Sequence, residues 1–275
     1  MKHFLALASL FLLTRCVFFQ ATAVPENNTV SYLSSANSPH KEFIVFLGDS
    51  ITHGRVSYDY VDSLTRHPYA KDYILVNEGI NSRLTYQILE QLENVVKLKP
   101  KFVFLLIGTN DLKASLSEEE AGYYFKKWDL KETPTKESFT KNVNTIVDYL
   151  KKNSQAKIIL FSIPVLGEDP ESIPFQRSIE YSKLLKEIGS SKKVTYKPFN
   201  EQLVQAILTN NNPNPSRYEM NRWGMYSTII GHYVFYKSWD ELSDKKGMLF
   251  LTDNIHLNAR AGKILESMIL EELKP

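Results

Sequence analysis

The sequence predicts an α/β fold, a parallel sheet with helices on both faces, and two observations carry that reading. Short, continuously apolar runs recur along the chain, as strands buried on both faces require. Between them, apolar residues fall at helical spacing. Strands alternating with amphipathic helices connect by right-handed crossovers into a parallel sheet. Composition agrees: 275 residues with 43% hydrophobic and 23% charged exclude wholesale disorder, collagen and coiled coil. The length suits one large domain or two small ones. With 33 Lys+Arg against 31 Asp+Glu there is no basic excess to recruit nucleic acid.

The elements follow in order. Lys2 and His3 precede an apolar run over residues 4–13, and Ala21-Thr22-Ala23 follows. A charged start, a short apolar stretch and small residues predict a secretory signal over residues 1–23, removed on export to the periplasm, the extracellular space or the secretory pathway. Arg15 cuts the run well short of the roughly 20 residues a spanning helix needs. Cys16, the only cysteine, lies inside this segment, so the processed chain has no disulfide, thiolate metal site or cysteine nucleophile. Residues 24–41, rich in Ser, Asn and Pro, read as a loose polar leader carrying the glycosylation pattern Asn27-Asn28-Thr29. The domain proper spans residues 42–275.

Within it, residues 43–47, 73–76, 102–107 and 158–161 are the apolar runs. Leu84, Ile88, Leu89, Leu92, Val95 and Val96 share a helical face, with Ser82 as the expected N-cap. Phe139, Val143, Ile146, Val147 and Leu150 repeat the pattern after Thr133-Pro134, and Ala261, Ile264, Leu265, Met268 and Leu273 make a closing helix. Two polar yet aromatic segments, 112–132 and 209–249, break the rhythm. The second is an aromatic-rich insert, and segments this long commonly carry function or form lids.

Open parallel sheets place their sites at the carboxyl ends of the strands. There stand Gly48-Asp49-Ser50, Asn77-Glu78-Gly79, Gly108-Thr109-Asn110-Asp111 and, before the last helix, Asp253-Asn254-Ile255-His256. Acyl transfer needs a serine activated by an imidazole, and a carboxylate to fix the imidazole's tautomer. Ser50, His256 and Asp253 supply these types, and the three-residue gap lets one turn of chain present both His256 and Asp253. An oxyanion also needs donors aimed at it, here the backbone N–H groups of Ser50 and Gly79 with the Asn110 amide. His53 is a rival base, expected on the outgoing helix turn and facing away. Arg83 is expected in a surface ion pair. Each block read alone also has a capping or turn role.

Together the four blocks resemble the SGNH, or GDSL-type, serine hydrolases, whose serine, glycine, asparagine and histidine match Ser50, Gly79, Asn110 and His256. The resemblance spans residue 43 to about 270. It implies a flavodoxin-like three-layer α/β/α sandwich with five parallel strands, the fifth at the short run 194–196. It also implies an esterase or lipase activity that uses no metal and no cofactor. The substrate class expected is a small-molecule, lipid or glycan ester, at a membrane or cell surface among other places. Carbohydrate O-acetylesterase, acyltransferase and non-catalytic glycan or lipid binding are the alternatives. Oligomeric state is not legible in the sequence. An α/β-hydrolase elbow is excluded, because Thr52 stands where that turn needs glycine.

Overall fold

The computed structural model describes residues 19–35, 41–220 and 222–274. Its sheet consists of β1 (Glu42–Gly48), β2 (Tyr73–Gly79), β3 (Phe102–Leu106), β4 (Lys157–Phe161) and β5 (Thr195–Lys197). The order is β2-β1-β3-β4-β5 with every pair parallel. The expected α/β sandwich is therefore observed.

The helices, in chain order, begin with α1 (Thr29–Ser34), α2 (Ser50–His53), α3 (Tyr60–Thr65) and α4 (Thr85–Lys97). There follow α5 (Thr109–Ala114), α6 (Glu118–Trp128), α7 (Lys136–Asn153) and α8 (Ile173–Lys192). The last are α9 (Phe199–Asn210), α10 (Trp223–Tyr233), α11 (Trp239–Asp244) and α12 (Ala259–Leu273).

Side chains alternate across a strand, so each apolar run feeds two cores. Ile44, Phe46, Phe102, Phe104, Ile159 and Phe161 pack on one face beneath α3, α9 and α12. Val45, Leu47, Val103, Leu105, Ile158 and Leu160 pack on the other beneath α4, α7 and α8. Phe46, Phe104 and Phe161 stack as a row across β1, β3 and β4, with centroids 5.2 and 6.1 Å apart. Burying each such ring contributes roughly 1.5–3 kcal/mol. That row anchors the three strands whose ends carry the site.

Three local expectations are corrected, and one helix appears that the sequence pattern did not single out. Helix α4 starts at Thr85 with Leu84 as N-cap, and Ser82 sits in the preceding turn at φ +63°. The fifth strand lies one residue later than 194–196. Helix α8 shows no clean apolar stripe in sequence because Ser178 and Ser182 lie on its buried face. The leader is not loose where it is described. Asn27 pairs its carbonyl with the Asn77 N–H and its amide with the Leu75 carbonyl, while the Thr29 N–H donates to Glu78 Oε1 at 2.7 Å.

Asn28 caps α1, and Tyr32 packs edge-on against Phe43. Residues 36–40 and most of the expected signal, 1–18, lie outside the described residues. Residues 19–22 are helical, and Ala21 is buried against Val56 and Ile229. Among the described residues no helix is long and apolar enough to cross a membrane. The insert near 209–249 holds α10 and α11, and segment 112–132 holds α6.

Candidate active site

The strand order reverses between β1 and β3, and the crevice above that switch point is the natural ligand site of such a sheet. Ser50 follows β1 directly as the first residue of α2, with the Asp49 carboxylate accepting from the Ile51 N–H to cap the turn. Asn110 follows β3 in α5. Asp253 and His256 stand on a tight loop ahead of α12. The Leu251–Leu257 bridge and the Thr252 N–H to His256 carbonyl bond at 2.8 Å close this loop.

These elements bring Ser50, His256 and Asp253 into one hydrogen-bonded line. His256 Nε2 lies 2.9 Å from Ser50 Oγ, and His256 Nδ1 lies 2.8 Å from Asp253 Oδ2. A carboxylate only accepts, so Nδ1 carries the proton toward Asp253 and Nε2 is left to accept from the serine. Asp253 Oδ1 also accepts from the His256 and Ile255 backbone N–H groups. Burial pushes the Asp253 carboxyl up, yet the charge of His256 and these bonds outweigh it and hold the group below its usual range. It stays ionised where the imidazole needs it.

The three expected donors differ in their surroundings. Ser50, as the first residue of a helix, has a backbone N–H with no intrahelical partner. Asn110 is oriented by its neighbours: Tyr124 Oη–H donates to its Oδ1 at 2.6 Å, and its Nδ2 donates to the Arg83 carbonyl at 3.0 Å. The other Nδ2–H meets only Asp49 at 3.4 Å. Gly79, by contrast, is not in the cleft wall. Its N–H already donates to Asn77 Oδ1 at 2.9 Å, and its Cα packs against the backbone of Thr52 and His53. From this block Asn81 and Ser82 reach the cleft; the Asn81 amide is taken by the Ala21 carbonyl, whereas Ser82 has a positive φ and no acceptor for its N–H among the described residues. Its sequence signal is slight, a serine ahead of a helical face, which is equally the pattern of a helix cap.

His53 is buried and faces away from the cleft, its Nε2 donating to the Ala23 carbonyl at 2.7 Å. Arg83 is not in a surface pair: it is 1% exposed and bonds the Glu78 carbonyl, with its guanidinium 3.7 Å from the Glu78 carboxylate.

Around Ser50 and His256 lies a cleft of about 240 Å³. Ala21, Val56, Met225 and Ile229 form an apolar side, and Lys113, Lys127 and Arg222 line it together with the rings of Tyr123 and Tyr226. Trp223 is 77% exposed and outside this lining, and Trp239 is buried against His232. Neither tryptophan rims the cleft. Chemically, the arrangement offers a hydroxyl hydrogen-bonded to an imidazole and a carboxylate that fixes the imidazole's tautomer.

Comparison with known proteins gives a consistent result. The family model of the GDSL-like lipase/acylhydrolase family matches residues 46–263. Among solved structures, Axe2, an acetylxylan esterase from Geobacillus stearothermophilus, aligns at TM-score 0.57 and 15% identity over 85% of this chain and 94% of that one. The acetyl xylan esterase AlAXEase aligns at TM-score 0.58 and 18% identity over 84% of this chain and 100% of that one. A lipase/acylhydrolase from Enterococcus faecalis aligns at TM-score 0.54 and 23% identity over 84% and 95%. At these identities the likeness shows the fold. No curated protein sequence matches the chain.

Proposed function

The chain belongs to the GDSL-like lipase/acylhydrolase family and is a carboxylic-ester hydrolase, and we propose that it works through Ser50 on esters of short acyl groups. The observation that carries the reading is the line Ser50 Oγ, His256 Nε2, His256 Nδ1, Asp253 Oδ2, with links of 2.9 and 2.8 Å. Ser50 Oγ attacks the ester carbonyl as His256 Nε2 takes its proton. The oxyanion is held by the N–H groups of Ser50 and Ser82 and by Asn110 Nδ2, donors placed before charge develops. The C–O bond breaks as Nε2 returns the proton to the departing alcohol, leaving an acyl-serine. Water then attacks that ester, gives its proton to Nε2, and Ser50 leaves with it, freeing the acid.

The size of the cleft supports a short acyl group over a long one. Export, with residues 1–23 removed, is part of the same proposal and rests on the sequence pattern alone. Hydrolysis and transfer to a second alcohol share the acyl-serine, so water as acceptor is the simpler reading.

The test is turnover of p-nitrophenyl esters from acetate to palmitate, with Ser50→Ala as the blank. Rates are expected to be highest for the short esters and absent in Ser50→Ala. Asn110→Ala is expected to lose on the order of 10²–10³ in kcat, the cost of one oxyanion donor. Palmitate turned over faster than acetate would overturn the acyl-length reading, and full activity in Ser50→Ala would overturn the mechanism.

A further inference from the structure

On a chain that is nearly neutral overall, the cleft at Ser50 is not. Lys113, Lys127 and Arg222 all line it, and no aspartate or glutamate does. None of the three has a carboxylate in ion-pair range among the described residues. Their close neighbours are aromatic rings instead. Arg222 lies 4.2 Å over the Tyr123 ring and Lys127 lies 5.8 Å from the same ring. Lys113 sits against Tyr124 and Tyr218 at 5.6 and 5.5 Å.

A ring's quadrupole positions a cation without neutralising it. A structural cation would ordinarily be placed against a carboxylate, whereas these three line the cleft without one; Lys127 and Arg222 are exposed, while burial lowers the Lys113 ammonium against the opposing pull of Glu120 and Asp253. The adjoining recess is lined by Glu120, Glu219 and Asp253; Glu120 accepts from the Tyr218 hydroxyl, Asp253 accepts from His256, and among the described residues none of the three comes within ion-pair range of Lys113 or Arg222. Tyr123 responds to the local field. Burial raises its phenol, but the bond to Ser82 and the charges of Lys127 and Arg222 outweigh that and hold it below its ordinary value.

Resting on the ester-hydrolase reading, we propose that the substrate is an anionic ester, one whose acid or alcohol part carries a carboxylate, phosphate or sulfate that meets Lys113, Lys127 and Arg222. The division of the cleft fits this: the apolar side at Val56 and Ile229 takes the uncharged part, and the cationic side takes the anion. A cleft lined by one sign of charge also concentrates substrate of the other sign and speeds encounter.

Two ester pairs test it and separate the two places the charge can sit. 4-Acetoxybenzoate against its methyl ester puts the anion on the alcohol part; the 4-nitrophenyl monoester of adipate against 4-nitrophenyl hexanoate puts it on the acyl part. The full chain and the double variant Lys127→Gln/Arg222→Gln, both exposed positions, are compared by kcat/KM. Binding of each anionic ester to Ser50→Ala, with and without the same two substitutions, is measured by calorimetry.

In at least one pair the anionic ester is expected to be preferred, and the double variant to lower that anion-to-neutral ratio about five-fold, the scale of exposed charge pairs. Raising NaCl to about 0.5 M is expected to lower the ratio in the full chain as well, since screening shortens the reach of these charges. Arg222→Glu is expected to lower the ratio further than loss of one charge does. An unchanged ratio in both pairs, with equal calorimetric binding, overturns the anion site while Ser50-dependent turnover of the neutral esters keeps the hydrolase standing. Binding of an anionic ester that depends on Lys127 and Arg222, with no turnover of any ester, overturns the hydrolase reading and leaves the anion site in place.

Discussion

Ser82 and Gly79 divide between them two jobs that look like one at the level of sequence. Gly79 has no side chain because none fits: a Cβ there would stand 2.0 Å from the His53 nitrogen. Its role is to let the end of β2 pass under α2, which holds Ser50 in place. Ser82 lines the cleft and adopts the left-handed region, where a non-glycine residue is uncommon, and its N–H is the proposed donor. Gly79→Ala is therefore expected to lose about 3 kcal/mol or more of stability, because the clash is with backbone that cannot move aside. The fraction that folds should keep kcat near wild type. Ser82→Gly retains the donor and is expected to keep kcat within about two-fold. Urea unfolding and esterase assays on both variants check this. A stable but inactive Gly79→Ala protein would return the donor role to Gly79. The residue types of the hydroxyl, imidazole and carboxylate were legible because only a few side chains can do their chemistry. The proposed donor at Ser82 was not, because a backbone N–H leaves no residue-type signature and only the local φ points to it.

At the scale of elements, the strands that were plain in sequence are those buried on both faces. β1 and β3 consist of continuous apolar runs because helices cover each side of them, whereas β5 is a three-residue edge strand with half-exposed side chains. Helix α8 hid because it buries serines, and the leader hid because its docking uses backbone groups of Asn27 and Thr29 and one Asn27 amide, groups that polar loops commonly possess. The segment before the leader has a consequence for the cleft. Ala21 and Thr22 form part of its wall, the Ala21 carbonyl accepts from Asn81, and the Ala23 carbonyl accepts from His53. Cleavage after Ala23, as the sequence pattern proposes, removes that wall and opens the apolar side at Val56 and Ile229. A chain starting at Val24 is accordingly expected to show a higher butyrate-to-acetate ratio of kcat/KM than the full chain. Each CH2 newly accommodated is worth up to about 0.8 kcal/mol, or roughly four-fold. Identical ratios in the two chains would mean that residues 19–23 do not bound the acyl site.

For the molecule as a whole, the site leaves a mark on stability through two acids behind it. Asp49 and Asp111 are fully buried, and burial pushes each up to about 6, with the charge of Asp49 adding to Asp111. An unfolded aspartate titrates near about 3.9, so between roughly pH 4 and 6 the folded chain holds protons the unfolded chain has released. Stability from these groups is therefore present at the acid end of that window and is lost as pH rises through it. His53 works in the opposite sense: burial lowers its imidazole, so stability falls as pH drops below about 6.5. The two terms partly cancel in the wild type, which is why a single substitution is needed to separate them. Asp49→Asn keeps the side-chain oxygen that caps α2 while removing the buried charge. Its urea midpoint is expected to exceed the wild-type value at about pH 7.5 and the gap to narrow toward pH 5, the full effect being at most about 3 kcal/mol for a shift of roughly two units. Parallel curves across that range would mean that Asp49 is ionised at no cost. The same variant should lose activity, because the Asp49 carboxylate faces both Asn110 and the imidazolium that forms at His256 in each turnover. Gaining stability while losing rate is the behaviour of a buried charge held for chemistry. A variant more stable and equally active would reduce Asp49 to a helix cap.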